Sequence, residues 1–252
     1  MTERTSGGGR VDFARRWVPE GSRRLLDVGC YTGYCLAQLA GRAEQLYGLD
    51  VDDRALAQGA CQHPEVRLLC CDGGRIAFRG HSFDVVLLLD VIEHLADAEK
   101  ARLLDECHRV LAPGGLLVLT TVHAGAFAWL DPMDFKRRCS GLYRLYMRLS
   151  GYQPQTAPEI GHRHLTAAEL DRLLGGRFEV LERRYSGLVL LPLTLWARAV
   201  LGRLRLLPGF LDRWLHGLGA LEERLSFGRA SYFVRLAVRQ AGAASSGQEA
   251  SA

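Results

Sequence analysis

The residues best suited by type to do chemistry fall in two clusters. Asp90-Val91-Ile92-Glu93-His94 puts two carboxylates and an imidazole close together, and Gly161-His162-Arg163-His164 adds two more imidazoles. If residues 91–94 form a helical turn, Asp90, Glu93 and His94 can converge, because positions three and four apart are neighbours on a helix. Two hard oxygens with one or two imidazoles suit a divalent ion, so Asp90, Glu93, His94 and His164 form a candidate metal set. Without a metal, the same groups cap a helix or line a pocket. His94, His162 and His164 are then candidate bases for deprotonating a hydroxyl. His123, directly after an apolar run that ends at Thr121, is a fourth.

A second group of residues points to a nucleotide-like ligand. In Leu25-Leu26-Asp27-Val28-Gly29-Cys30-Tyr31-Thr32-Gly33, glycines let backbone approach a ligand with no Cβ in the way. The helix expected after Gly33 aims unpaired N–H groups at whatever lies above the turn. Asp50 follows about twenty residues later, where a carboxylate can accept both ribose hydroxyls of an adenosine-containing cofactor. The dinucleotide fingerprint GxGxxG is absent, and Asp27 stands immediately before the turn. A pyrophosphate is repelled by such a neighbour, whereas a cofactor with an ammonium and a sulfonium is attracted. The charge pattern therefore favours S-adenosylmethionine over NAD.

The series LLDVGCYTG, LYGLD, LLCCDGG, FDVVLLLDVIEHL and VLAPGGLLVLTT resembles, in order and spacing, the motifs of class I S-adenosylmethionine-dependent methyltransferases, of the small-molecule or lipid-type O-methyltransferase branch. The resemblance covers about residues 24–121 and the closing HRHLTAAELDRLL, FEVLERR and SYFVRLAV segments. It implies that the loop of Gly29, Cys30, Tyr31 and Gly33 holds the methionine end. Asp50 and Val51 would hold the ribose, Asp72 and Gly73 would face adenine, and Asp90 and Val91 would lie beside the cofactor. Tyr31 stands where the family usually has the middle glycine of the turn. The Asp90–His94 set with a distal histidine also resembles quinone-ring O-methyltransferases and small-RNA 2′-O-methyltransferases, in which a divalent metal holds substrate hydroxyls. An RNA 2′-O-methyltransferase is thus one alternative, and a non-catalytic scaffold that keeps the fold is another.

The elements that must position these residues are legible as alternating strand and helix patterns, the mark of βαβ units and a mostly parallel sheet. Near-continuous apolar runs at 24–28, 45–49, 66–70, 83–89 and 115–121 predict strands buried on both faces. Helices are expected at 33–41, 53–62 and 96–111, the last closed by Pro113-Gly114-Gly115. A short helix at 165–174 has Thr166 as N-cap with Glu169 three residues on. Strands follow at 178–185 and 231–239. The expected fold is a doubly wound, Rossmann-like α/β sheet of seven strands with the last antiparallel. It forms a single domain over residues 1–241, with frayed tails at residues 1–9 and from 241 on, 242–252 being disordered.

Two insertions interrupt this plan. Residues 123–161 form an expected substrate lid, mixing arginines with Trp129, Phe135, Tyr143 and Tyr146. Residues 187–229 read as helices apolar over most of their surface, carrying Leu191, Leu195, Trp196, Leu204, Phe210 and Trp214 among Arg198, Arg203, Arg205 and Arg213. Tryptophan and arginine beside an apolar face suit a membrane surface, and equally packing on the sheet or on a second subunit. Membrane contact would make a lipid-linked sugar, quinone or polyprenyl intermediate the natural acceptor, in place of a free small molecule. The net charge of +4 is too mild to argue for nucleic acid. Of 32 basic residues only Lys100 and Lys136 are lysines, a bias expected of a GC-rich bacterial genome. Seven cysteines without a CxxC pair fit reduced thiols, with Cys30, Cys70, Cys71 and Cys107 expected to be buried. No signal-peptide or membrane-spanning stretch is visible, so a cytoplasmic protein is expected, peripheral at the inner face of the membrane if the second insertion docks there. The oligomeric state stays open.

Overall fold

The computed structural model describes residues 9–128, 141, 145, 148, 163–203 and 206–241. Strands β1 (Ser22–Val28), β2 (Ala43–Asp50), β3 (Val66–Cys70), β4 (Phe83–Leu89), β5 (Leu111–Val122), β6 (Phe178–Ser186) and β7 (Phe233–Gln240) form one sheet in the order β3-β2-β1-β4-β5-β7-β6. The first five are parallel, and β7 runs antiparallel to both β5 and β6. The strand order reverses between β1 and β4, and ligands of doubly wound sheets bind at the carboxyl ends of such a switch point.

Helices α1 (Arg10–Trp17), α2 (Tyr34–Ala37), α3 (Asp53–Gln62), α4 (Asp97–Val110) and α5 (Ala167–Leu174) cover the sheet, and α6 (Leu190–Arg203) packs on α7 (Gly209–Glu223). Successive strand residues face opposite sides, so each strand feeds two cores. Leu26, Val86, Leu88, Leu117 and Leu119 pack with Leu103, Leu104 and Cys107 of α4 and Leu170 of α5. Leu25, Val85, Leu87 and Val118 pack with Val11, Phe13 and Ala14 of α1, Leu36 of α2 and Leu56 of α3. Each fully buried leucine contributes roughly 1.5–3 kcal/mol of hydrophobic stabilisation.

Several expectations need correction. Helix α1 has no counterpart in the sequence reading, because three buried positions among arginines give too weak a period. The helix expected over 33–41 is a single turn, α2. Helix α4 stops at Val110, before Pro113, because Leu111 already pairs with Phe83 in the sheet; the Pro-Gly-Gly lies inside β5, at a register irregularity. Cys70 is exposed at the end of β3 and Cys71 after it is only half-buried, while Cys30, Cys35 and Cys107 are buried free thiols. The capping box of α5 forms as expected, with Glu169 N–H donating to Thr166 Oγ1 at 3.2 Å and Thr166 N–H to Glu169 at 2.8 Å. Apart from Gly141, Leu145 and Arg148, the lid insertion beyond Ala128 lies outside the described residues, as do His162, Leu204, Arg205, the tail 242–252 and the side chains of Leu191, Leu195, Trp196 and Arg203.

Candidate active site

A cavity of about 250 Å³ opens over the carboxyl ends of β1, β2 and β4. The turn after β1 forms its floor. Gly29 and Gly33 adopt φ of 79° and 74°, and the N–H groups of Gly29 and Cys30 donate to Leu49 O at 2.7 and 2.9 Å, tying the turn to β2. A Cβ on Gly29 would meet Val91 Cγ2 at 2.5 Å, so only glycine fits between the turn and the loop after β4. Tyr31 takes the left-handed backbone, φ 53°, without being glycine. Its N–H donates to Asp50 Oδ2 at 2.7 Å, a bond that holds an otherwise unfavourable conformation.

Four carboxylates surround the floor. Asp50 also accepts from Asp52 N–H at 2.9 Å. A carboxylate has about four acceptor positions, so two remain for a pair of vicinal hydroxyls. Asp72 accepts from Gly74 N–H at 2.9 Å and opens a short turn that places Gly73 on the cavity wall. Between these acids, Val51 is 71% exposed although apolar, and with Val28 and Leu103 it gives the cavity an apolar slot suited to a flat ring.

Asp27 is buried, and its Oδ1 has no hydrogen-bond partner. Burial pushes its carboxyl up to about 7; Arg10 opposes the shift, while Asp50 and Asp90 reinforce it. A buried acceptor left unsatisfied is costly, and a cationic donor in the site would relieve it. Asp90 is the opposite case. Burial raises its carboxyl, but Arg10, at 2.7 Å, and the Thr120 hydroxyl, at 2.6 Å, outweigh that and hold it below the usual range, helped by Arg235. Arg10, carried by α1, is therefore part of this site. Nothing in its sequence neighbourhood marks it, since the contact spans eighty positions.

The expected metal set is divided. Thr120 holds Asp90, whereas Thr121 donates to Glu93 Oε2 at 2.9 Å. Adjacent strand residues point to opposite faces, so the two carboxylates are drawn apart. Among the described residues no three His, Cys, Asp or Glu side chains form a metal-ligating group. The donor set thus does not fit a metal, and the RNA alternative loses the group that was to hold its substrate.

The histidines separate too. His94 lines the cavity. His123 and His164 lie together beyond β5, where His123 pairs by backbone with Leu165, its ring stands 5.1 Å from that of Tyr185, and the His164 ring stands 5.8 Å from that of Tyr232. His123 Nδ1 lies 3.2 Å from Ser231 O. A carbonyl can only accept, so Nδ1 carries the proton of the neutral ring and Nε2 keeps a lone pair. Burial, outweighing the bond to Ser231, lowers the His123 pKa, and His164 and two arginines add to this.

Of the expected cofactor residues, Gly29, Tyr31, Asp50, Val51, Asp72, Gly73, Asp90 and Val91 line the cavity. Asp27, buried in β1, and Gly33 are not on its lining, and Cys30 packs against Gly48, whose Cβ would meet its Sγ at 2.6 Å. Residues the sequence did not mark include Leu95, Glu99 and Arg102 on the far rim.

Residues 26–119 match a family described as a methyltransferase domain. A probable S-adenosylmethionine-dependent methyltransferase of Mycolicibacterium smegmatis is 34% identical over 159 residues, which is 61% of this chain and 61% of that one. A ubiquinone biosynthesis O-methyltransferase of Parvibaculum lavamentivorans is 32% identical over 136 residues, 51% of this chain and 53% of the relative. The chain thus spans less than two thirds of the length of these relatives. The solved geranyl diphosphate C-methyltransferase of Streptomyces coelicolor superposes with a TM-score of 0.60 over 92% of this chain and 77% of that one, at 14% identity. A methyltransferase of Methanosarcina mazei gives 0.57 over 91% and 97%, at 16% identity. Identities this low establish a shared fold.

Proposed function

We propose that this chain, whose residues 26–119 match a methyltransferase domain and whose sheet has the strand order of the class I fold, transfers a methyl group from S-adenosylmethionine to an oxygen of a small or lipid-linked acceptor. The observation that carries this reading is Asp27, a buried carboxylate with an unpartnered oxygen beneath a glycine turn. That orphan oxygen, and the Gly29 cradle that a Cβ would fill, fit a ligand with an ammonium group. When bound, S-adenosylmethionine supplies an electrophilic methyl on a sulfonium.

The residues divide the work. Asp27 pairs with the ammonium, and Arg10, released from Asp90, is the cation for the carboxylate of the same amino-acid end. Asp50 takes the ribose hydroxyls with its remaining acceptor positions. Val51, Leu103 and the Asp72–Gly73 turn enclose the ring. His94, on the cavity lining, and His123, neutral with its lone pair on Nε2, are the candidate bases for an acceptor hydroxyl. An oxygen acceptor also accords with relatives named as ubiquinone O-methyltransferases.

Calorimetric titration of the purified chain with S-adenosylhomocysteine, with NAD as control, tests the reading. Micromolar binding of the first alone is expected; a folded chain that binds neither overturns it in favour of a scaffold. Incubation with methyl-labelled cofactor and fractionated cell extract then locates the acceptor. Label is expected in lipid or small-molecule fractions, and label in RNA would restore the nucleic-acid reading.

A further inference from the structure

The insertion between β6 and β7 carries apolar surface that the sheet does not use. Of thirteen exposed large apolar side chains among the described residues, eight lie between positions 190 and 227. In α7 they are ordered. Leu215, Gly219 and Glu222 form its buried side, whereas Phe210, Trp214 and Leu221 are 68%, 59% and 60% exposed. At ~3.6 residues per turn these three fall within about 40° of one another, on a second apolar stripe facing away from the first. Leu190 and Leu193 of α6, and Leu206 between the helices, are exposed as well. The buried side of α7 packs within the protein, whereas this stripe stays uncovered among the described residues, and an apolar stripe at helical spacing calls for an apolar partner.

Charge identifies that partner. The hairpin has three acids, and each is held by a partner. Glu222 accepts from the N–H groups of Leu188, Val189 and Leu190 at 2.9, 3.1 and 3.0 Å, capping the start of α6. Glu223 pairs with the buried Arg235 of β7, and Asp212 with Arg198 at 2.7 Å. Arg213, Arg224 and Arg229 are exposed, with no acidic partner among the described residues. Among the described residues the outward surface is therefore apolar with positive charge that no acid balances. A second copy of the chain across a two-fold axis would set arginine against arginine. An anionic bilayer meets both features, burying the stripe among acyl chains and the guanidinium groups among head groups.

We propose that the outer face of the α6–α7 hairpin lies flat on a membrane that contains anionic phospholipid. The helices, fourteen and fifteen residues long, reach about 21–23 Å at ~1.5 Å per residue, short of the ~30 Å hydrocarbon core. None is long and apolar enough to cross among the described residues. The docking stands on the surface alone; that it brings the active site to a lipid-linked acceptor rests on the methyltransferase reading.

Flotation of the full chain with phosphatidylcholine vesicles, with and without phosphatidylglycerol, tests it. The chain is expected to float with the anionic vesicles, less so as salt rises. Phe210→Ser with Trp214→Ser, and separately Arg213→Glu with Arg224→Glu, are each expected to lower the bound fraction roughly tenfold or more. S-adenosylhomocysteine affinity, measured on the same samples, is expected not to change. If the serine pair loses that affinity too, quenching of tryptophan emission by bromine-labelled lipid decides: it must occur in the wild type and weaken in Trp214→Phe. A wild-type chain that stays unbound with anionic vesicles overturns the proposal. So does a dimer in sedimentation that the serine pair dissociates, because the face then belongs to a second copy. Floating without cofactor binding would sink the methyltransferase reading alone.

Discussion

At the scale of single residues, the carboxyl of Asp27 would set the terms on which the ammonium of the proposed cofactor is accepted. Its ordinary value of 3.8 is pushed up to about 7 by burial, so between those values the folded chain holds a proton that the unfolded chain has released. The stability tied to that proton is fully present below about 4 and is lost as the pH climbs to about 7. Ligand binding has the opposite dependence, since an ammonium prefers the ionised carboxylate. S-adenosylhomocysteine affinity is expected to rise up to ~10-fold per pH unit below 7 and to level off above it. In Asp27→Asn the slope should vanish. A wild-type affinity flat from pH 5.5 to 8 would remove Asp27 from the ammonium contact. The sequence pointed to Asp27, Asp50 and Asp72 because each sits at a fixed offset from a strand end or a glycine. Arg10 and Arg235 were invisible to it, because their roles depend on partners brought close only by the finished sheet.

Among elements, the legible ones were those whose burial repeats along the chain. Strands β3 and β4 and helix α3 have the bounds that their apolar periods dictate, and the Thr166–Glu169 box sets the start of α5. Helix α4 lies within one residue of its expected bounds at each end, whereas the poorly read starts owe their form to distant partners: β5 begins early because Leu111 is captured by β4, and α6 starts where Glu222 from the next helix reaches back. That second case can be checked. Glu222→Ala would strip three N–H groups of their acceptor, at an expected cost of about 1–3 kcal/mol in chemical denaturation. Hydrogen exchange should accelerate at Leu188–Leu190 first. Protection unchanged there would show that the α6 start is held by its apolar contacts instead.

For the molecule as a whole, one buried cation ties the added helices to the sheet. Arg235 of β7 reaches Ser186 of β6 and Glu223 of α7, and its charge is felt at Asp90 beside the cavity. Burial depresses the Arg235 pKa and raises that of Glu223, each partner offsetting part of the other's desolvation. Breaking such a pair from one side is far costlier than replacing both members. Arg235→Met is expected to lose about 3–5 kcal/mol in urea unfolding, and the paired change with Glu223→Leu to recover much of it. A loss below about 1 kcal/mol in the single variant would mean the pair is solvated.

The position of β7 between β5 and β6 has a consequence for the order in which the protein is made. Strand β6 emerges from the ribosome before β7, its only sheet neighbour among the described residues, has been synthesised, and the whole α6–α7 hairpin is translated in between. During that interval a bare strand edge and a greasy helix pair coexist on the same nascent chain, the combination most prone to sticking to its neighbours. A bilayer that accepts the hairpin as it appears would shelter one of the two liabilities until β7 arrives to close the other, so the proposed docking surface would also chaperone the birth of the chain.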